Sequence, residues 1–488
     1  MILDALDLHA SARPASFAID DVPYADLRDG ASRVAERLRA VGVAPGDRVV
    51  LYAENSLGFV FAYLGALRAG AIVVPANVLY RESDLARIVE DSGARVMCVS
   101  AQSRPFVAST FAGTLVDLAE VTAWANDAHI TPYTCDRTPE DIALLVYTSG
   151  TTGRAKGAML THANLDSIAS QVARAWAWTS RDTLLLTLPL FHIHGLCAGV
   201  NGTLATGARL YLRERFDVSD VVATLRAGDT TMFFGVPTMY VRILEHADAG
   251  PFPAVRLFVS GSAALPGSVH EAFAERFHAS VLERYGSTEF GFALTNRYDG
   301  ARYPGTVGFP FPDVSVRLVD ANECDIPSGA IGEILVSGPN VCAGYWRDAD
   351  ATAAAFVHDA DGTRWFRSGD LATFDSKRGY AIVGRTKELI ISGGFNIYPR
   401  EIEDELMSID GIRAAAVIGR PDDARGELPI AYVETEGSRE IDLDSVLATL
   451  RARLASFKVP REMTVVDELP RNAMGKIDKP ALRARSAM

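Results

Sequence analysis

Helical and extended patterns alternate over the first hundred residues, and this alternation restricts the chain to few architectures. Residues 24–41 read as an amphipathic helix, 48–52 as a strand and 56–68 as an apolar helix. Residues 71–75, 83–91 and 95–99 continue the series as strand, helix and strand. Strands bounded by short helices imply a parallel, doubly wound sheet. A second series runs from about Leu184 to Tyr285, with strands expected at 209–212, 231–234 and 256–259. From Gly305 onward, close-set strands such as 314–319 and 332–336 predict a small antiparallel, barrel-like element. After Gly384 the pattern becomes α+β, with helices at 399–408 and 443–455 and strands at 414–418, 430–434 and 463–467. The expected fold is α/β. A large N-terminal domain (1–384) holds two doubly wound lobes plus the small β element. A smaller α+β C-terminal domain (385–488) follows on a hinge at Gly384-Arg385-Thr386-Lys387.

A chain of 488 residues, 48% hydrophobic and 22% charged, suits a globular protein of more than one core. Its formal net charge of −13 argues against nucleic-acid and anionic-membrane partners, so a polyanion site has to be locally basic. The most apolar helical run, residues 57–67, is too short to span a bilayer, and no integral membrane association is expected. The first residues lack the basic and apolar regions of a signal peptide, and the last carry no lipidation signal. Cys98, Cys135, Cys197, Cys324 and Cys342 are far apart and fit reduced thiols in a cytoplasmic protein, monomer or homodimer.

After a strand at 141–147 comes Thr148-Ser149-Gly150-Thr151-Thr152-Gly153-Arg154-Ala155-Lys156-Gly157. Glycines let backbone N–H groups approach an anion, hydroxyls add donors and Lys156 adds charge, which is what a triphosphate needs. The loop is not a Walker sequence, because Lys156 precedes Gly157 rather than Ser or Thr. Taken alone, its composition also fits a polar turn.

The loop resembles the phosphate loop of the adenylate-forming acyl-CoA synthetase superfamily, and further segments extend the resemblance over nearly the whole chain. Tyr285-Gly286-Ser287-Thr288-Glu289 resembles the segment whose aromatic packs on adenine, whose Thr binds the α-phosphate and whose Glu holds magnesium, here with Thr148. Asp370, with Arg385, resembles the pair that reaches ribose and phosphate. Ser260-Gly261-Ser262 resembles the backbone that lines adenine and the acyl pocket. Lys476 matches the lysine that the small domain carries into the site for adenylation and is preferred to Lys479 because Gly475 precedes it. Gly393 and Gly394 match the loop that replaces that lysine and lines the pantetheine tunnel, and Lys387 takes the hinge position. The resemblance implies ATP, Mg2+ and coenzyme A, and two half-reactions separated by a domain rotation. It assigns catalysis to Lys476, Thr288, Glu289 and His192.

Within the superfamily, Leu188 to Leu196, Phe234 to Tyr240, Ser260 to Leu265 and Glu283-Arg284-Tyr285-Gly286 look most like malonyl-CoA synthetases. That resemblance implies that Arg284 binds a distal carboxylate, assisted by His192 and Ser262. On residue type alone, an arginine paired with a protein acid or turned to solvent would be the better reading of Arg284. Ser287 and Phe290-Gly291-Phe292 depart from the malonyl-type pattern. The expected substrate is therefore malonate, methylmalonate or another short acid with a second anionic group. A stand-alone adenylation protein that loads a carrier is the alternative enzyme. A nucleotide-binding sensor without turnover is disfavoured by the presence of Lys156, Glu289, Asp370 and Lys476.

Overall fold

The structure, a computed structural model, describes all residues except 109–110, 149–154, 423–424, 436–440, 472–475 and 487–488. One sheet has seven strands. Ile142–Thr148, Ile72–Pro75, Arg48–Tyr52, Val96–Val99 and Thr114–Asp117 run parallel in that spatial order. Val49, Val50, Val73 and Val74 are fully buried, as parallel strands covered by helices on both faces require. The helix Leu57–Arg68 is buried nearly all round, and Ser56 caps it by accepting from the Phe59 N–H. Core packing thus accounts for the most apolar run, and no described helix is long and apolar enough to cross a membrane.

Lys156 does not sit in a loop. It opens the strand Lys156–Thr161, which returns antiparallel beside Ile142–Thr148 with Lys156 opposite Thr148. The strands on either side of residues 149–154 thus pair antiparallel, and the second extends the parallel sheet.

The second sheet has nine strands, with Val281–Tyr285, Leu257–Ser260, Met232–Gly235, Thr183–Leu186 and Arg209–Leu212 as its parallel centre. Phe17–Ile19 pairs with Arg209–Leu212. Phe17–Ile19, to which the sequence pattern assigned no element, therefore joins the sheet of the second lobe. Local periodicity identifies a strand but not its distant partner.

Ser315–Val319, Gly332–Ser337, Phe356–His358, Arg364–Asp375 and Gly379–Arg385 form the expected antiparallel element. In the small C-terminal domain, Ile412–Asp422 and Gly426–Thr435 form a hairpin longer than the sequence suggested, paired down to Asp422 opposite Gly426. Gly419, Pro421 and Asp422 make the local pattern read as a turn, yet the pairing continues through them. Glu462–Val466 adds in parallel.

Each apolar cluster of the described residues lies wholly before Arg385 or wholly after it. Between them, Thr386–Glu388 forms a short 3-10 turn. The Lys479 ammonium lies 2.8 Å from both Glu388 and Glu403, tying the end of that turn to the C-terminal domain.

Candidate active site

Thr148, Ser260 and Tyr285 all stand at the C-terminal ends of parallel strands. Open α/β sheets bind ligands in the crevice beyond those ends. Three motifs distant in sequence meet there. The Tyr285 hydroxyl donates to Asp370 Oδ2 at 2.6 Å, and Arg385 Nε lies 3.0 Å from Asp370 Oδ1. Asp370 and Arg385 face each other across an antiparallel pair, so strand register fixes the contact. Gly286 has no room for a side chain, since a Cβ there would lie 2.0 Å from the Gly291 carbonyl oxygen.

Glu289 is held at both oxygens. Ser287 donates to Oε2 at 2.8 Å and the Tyr345 hydroxyl to Oε1 at 3.0 Å. The Lys156 ammonium sits 5.2 Å from the centre of the Tyr345 ring, and the Thr148 hydroxyl donates to the Lys156 carbonyl at 3.4 Å. Tyr345 thus joins Glu289 to the strand Lys156–Thr161, a role the sequence did not disclose. Its only signal was the pair Gly344-Tyr345, which adds an antiparallel strand next to Lys156–Thr161. Ser287, one of the departures from the malonyl-type pattern, supplies a hydroxyl to Glu289. Thr288 is half-buried between them. Ser149, Gly150, Thr151, Thr152 and Gly153 lie outside the described residues.

The acyl end of the site is built around Arg284, which is only 4% exposed. Its guanidinium lies over the Phe292 ring at 4.5 Å, within cation–π range. Its Nε and Nη2 are buried without a hydrogen-bond partner, and it has no carboxylate partner among the described residues. Burial lowers its pKa to about 9, so it remains charged at neutral pH. A Cβ on Gly261 would lie 2.4 Å from Nε, so glycine is what leaves room for the guanidinium. Neighbouring Ser262 adopts a left-handed φ of 69°, and the Ser260 hydroxyl is buried without a partner.

His192 and His194 complete this end. The His194 N–H donates to His192 Nδ1 at 3.2 Å, so a neutral His192 carries its proton on Nε2. Burial, then the charges of Lys476 and Arg284, push His192 down to about 3. From sequence, both histidines belong to a pocket wall, but only His192 matches a substrate contact. His194 opens a π-helical turn, His194–Val200, of the kind often found at functional sites. Its ring stacks on Phe234 at 5.8 Å, both ring nitrogens are buried without partners, and burial and Arg284 lower its pKa.

Lys476 reaches the same region from the C-terminal domain. Its pKa is lowered by lost hydration first and then by Arg385 and Arg284, while Asp370 opposes the shift. The residue as a whole remains exposed, so the loss of hydration is partial. Lys479 is committed to Glu388 and Glu403. Gly393 and Gly394 turn the hairpin between Ile390–Ser392 and Phe395–Ile397 with φ of 57° and 84°. That hairpin bonds within the C-terminal sheet, and Lys387 stands in the 3-10 turn.

Glu283, next to Arg284, is 3% exposed. Its Oε2 accepts from the Leu265 N–H at 3.1 Å, and Oε1 has no partner. Burial raises its pKa to about 7, opposed by the Leu265 N–H and by Arg400 of the C-terminal domain. A carboxyl raised from 4.5 to about 7 on folding adds stability below pH 4.5 and loses it as the pH rises through 7. Glu283→Gln should therefore match the parent in thermal denaturation at pH 5 and exceed it at pH 8, by on the order of 2 kcal/mol. Equal Tm differences at both pH values would refute this assignment.

Among the described residues no three His, Cys, Asp or Glu side chains gather to hold a metal ion. Glu289 and Thr148 bring one carboxylate and one hydroxyl. That set fits Mg2+, which takes one or two carboxylates and draws its remaining ligands from phosphates and water.

Residues 7–346 match the AMP-binding enzyme family, and residues 401–476 match the AMP-binding enzyme C-terminal domain. The chain belongs to this family of adenylate-forming enzymes. It is an AMP-forming acid–CoA ligase that uses ATP, Mg2+ and CoA. The ATP-bound crystal structure of MatB from Rhodopseudomonas palustris superposes with a TM-score of 0.92 at 36% identity, covering 99% of both chains. A feruloyl-CoA synthase from an Amycolatopsis species is 38% identical over 95% of this chain and 93% of its own. A mitochondrial malonate–CoA ligase from Mus musculus is 32% identical over 94% of this chain and 86% of its own.

Proposed function

We propose that this ligase activates a short acid carrying a second, distal anionic group, with malonate or methylmalonate as the leading candidates. The observation that carries this reading is the buried, unpartnered Nε–Nη2 edge of Arg284. A charge removed from water is costly unless an anion meets it, and two parallel N–H donors suit a planar carboxylate. The Phe292 ring packs against the guanidinium, its centre 4.5 Å from the central carbon. His192, neutral with its proton on Nε2, and Ser262 offer further donors.

In the first half-reaction the proximal carboxylate attacks the α-phosphorus of ATP, an O–P bond forms, and the bond to pyrophosphate breaks. Lys476 offsets the charge that builds at the reacting oxygens. Residues 148–156 hold the departing phosphates, Thr288 the α-phosphate, Tyr285 with Gly286 and Ser260-Gly261 the adenine, and Asp370 with Arg385 the ribose. Glu289 and Thr148 hold Mg2+, which neutralises phosphate charge when bound. In the second half-reaction the CoA sulfur attacks the acyl carbon, a C–S bond forms, and AMP leaves with its oxygen. Residues 385–488 rotate about Lys387 between the two, so that Gly393 and Gly394 replace Lys476. The separate cores on either side of Arg385 and the tie from Lys479 to Glu388 support such a hinge. The free, mostly buried cysteines support a cytoplasmic setting.

The similarity to a feruloyl-CoA synthase favours a second reading, an aromatic acid packed among Phe234, Phe292 and His194. That reading leaves the Arg284 edge facing a neutral ring, whose oxygens offer a weaker match than a carboxylate. Malonate, methylmalonate, a sulfonated acetate and ferulate, each supplied with ATP, Mg2+ and CoA, separate the two. The distal-anion reading expects thioester mass and AMP from the dianionic acids and little from ferulate. A preference for ferulate would overturn it.

A further inference from the structure

We infer that Glu434 is a positioning residue for adenylation, acting through the stem that leads to Lys476. The inference rests on the proposed role of Lys476. Glu434 lies near the end of the strand Gly426–Thr435, opposite Val466, and its side chain is 1% exposed. A buried carboxylate is expensive unless its oxygens are engaged. Here Oε1 is ion-paired with Arg413, while Oε2 accepts from the Leu469 N–H at 3.3 Å and meets Arg471 Nη2 at 3.5 Å.

Leu469 and Arg471 form the ascending arm of the stem that leads to Lys476. The stem closes where Arg471 bridges Ile477 in antiparallel register and the Asp478 N–H donates to the Pro470 carbonyl at 2.7 Å. Leu469, Ile477 and Leu482 pack together beneath it. Lys476 immediately precedes Ile477, so the height and direction at which the lysine leaves the domain depend on this stem. Glu434 fixes one arm of the stem at two residues from a position that solvent cannot reach. The apolar cluster alone would hold the stem laterally without setting its register along the strand.

The test compares the two half-reactions in Glu434→Gln. Glutamine keeps an oxygen for the Leu469 N–H but loses the charge that holds Arg471 and Arg413. Acyl-adenylate formation should fall roughly 10–100-fold, as expected for a small misplacement of a charged group. The ATP KM and the conversion of supplied acyl-adenylate to thioester should be unchanged. Arg471→Ala, at a position one-third exposed, should show the same split, and Arg471→Lys should restore part of the loss. If Glu434→Gln does not fold, the two Arg471 variants decide. A parallel fall in both half-reactions together with Tm would mean a merely structural role and overturn the inference, as would no fall in either. Lys476→Ala run alongside separates the two failures. If it leaves adenylation intact, the reading of the lysine itself has failed, whatever the Glu434 variant does.

Discussion

Lys476→Ala is expected to slow acyl-adenylate formation by about 10²–10³-fold, the range for removing one preorganised charge from a transition state. Conversion of supplied acyl-adenylate to the thioester should stay near the parent rate. The asymmetry follows from where the lysine sits. In the conformation described, its ammonium lies within electrostatic reach of Arg284, Arg385 and Asp370, at the junction of the acyl and ribose ends of the crevice. Asp370 offsets part of the repulsion among these three cations, and a bound phosphate would offset more. On the proposed alternation, the domain turns before the second half-reaction and the hairpin with Gly393 and Gly394 takes that place. The measurement is single-turnover pyrophosphate release set beside thioester formation from synthetic acyl-adenylate. Equal losses in both would contradict the alternation of domains.

Arg284→Met is expected to have opposite effects on activity and stability. With a dianionic acid, kcat/KM should fall by about 10²–10⁴-fold, because the distal anion would then be buried without donors. The unliganded protein should unfold at a higher temperature than the parent, since an isolated buried guanidinium is replaced by an unbranched apolar chain. Phe292 and Gly261 lie against that side chain, and methionine can fill the same irregular space. Calorimetry on the unliganded protein and steady-state kinetics on the same preparation test both halves. A lower Tm together with unchanged kinetics would mean that Arg284 is a packing residue.

Much of this was legible in the sequence, and the remainder has a common physical cause. Strand and helix alternation is a local pattern, so the two lobes, the antiparallel element and the α+β domain could be read directly. The candidate site segments could be named because each holds its chemistry in a few consecutive residues that resemble a family motif. Contacts between segments were not. Tyr345 reaches Glu289 across 56 positions, and the Tyr285 hydroxyl finds Asp370 across 85. Lys156 read as part of a loop because its strand is defined by pairing with the one before it. Phe292 stood out only as a departure from a familiar pattern. Its position against Arg284 depends on a turn at Gly291, with φ of 58°, that no periodicity encodes. Glu434 carried no sequence signal, since a single glutamate near a strand end is ordinarily solvated.

The central claim is that the Arg284 edge selects an acid by its distal charge. The most direct measurement is kcat/KM of the parent enzyme for malonate and for its monomethyl ester, with ATP, Mg2+ and CoA held constant. The two acids share the reacting carboxylate and differ in the charge at the far end. A preference for malonate of about 10²-fold or more is the predicted result. Equal values, or a preference for the ester, would contradict the account.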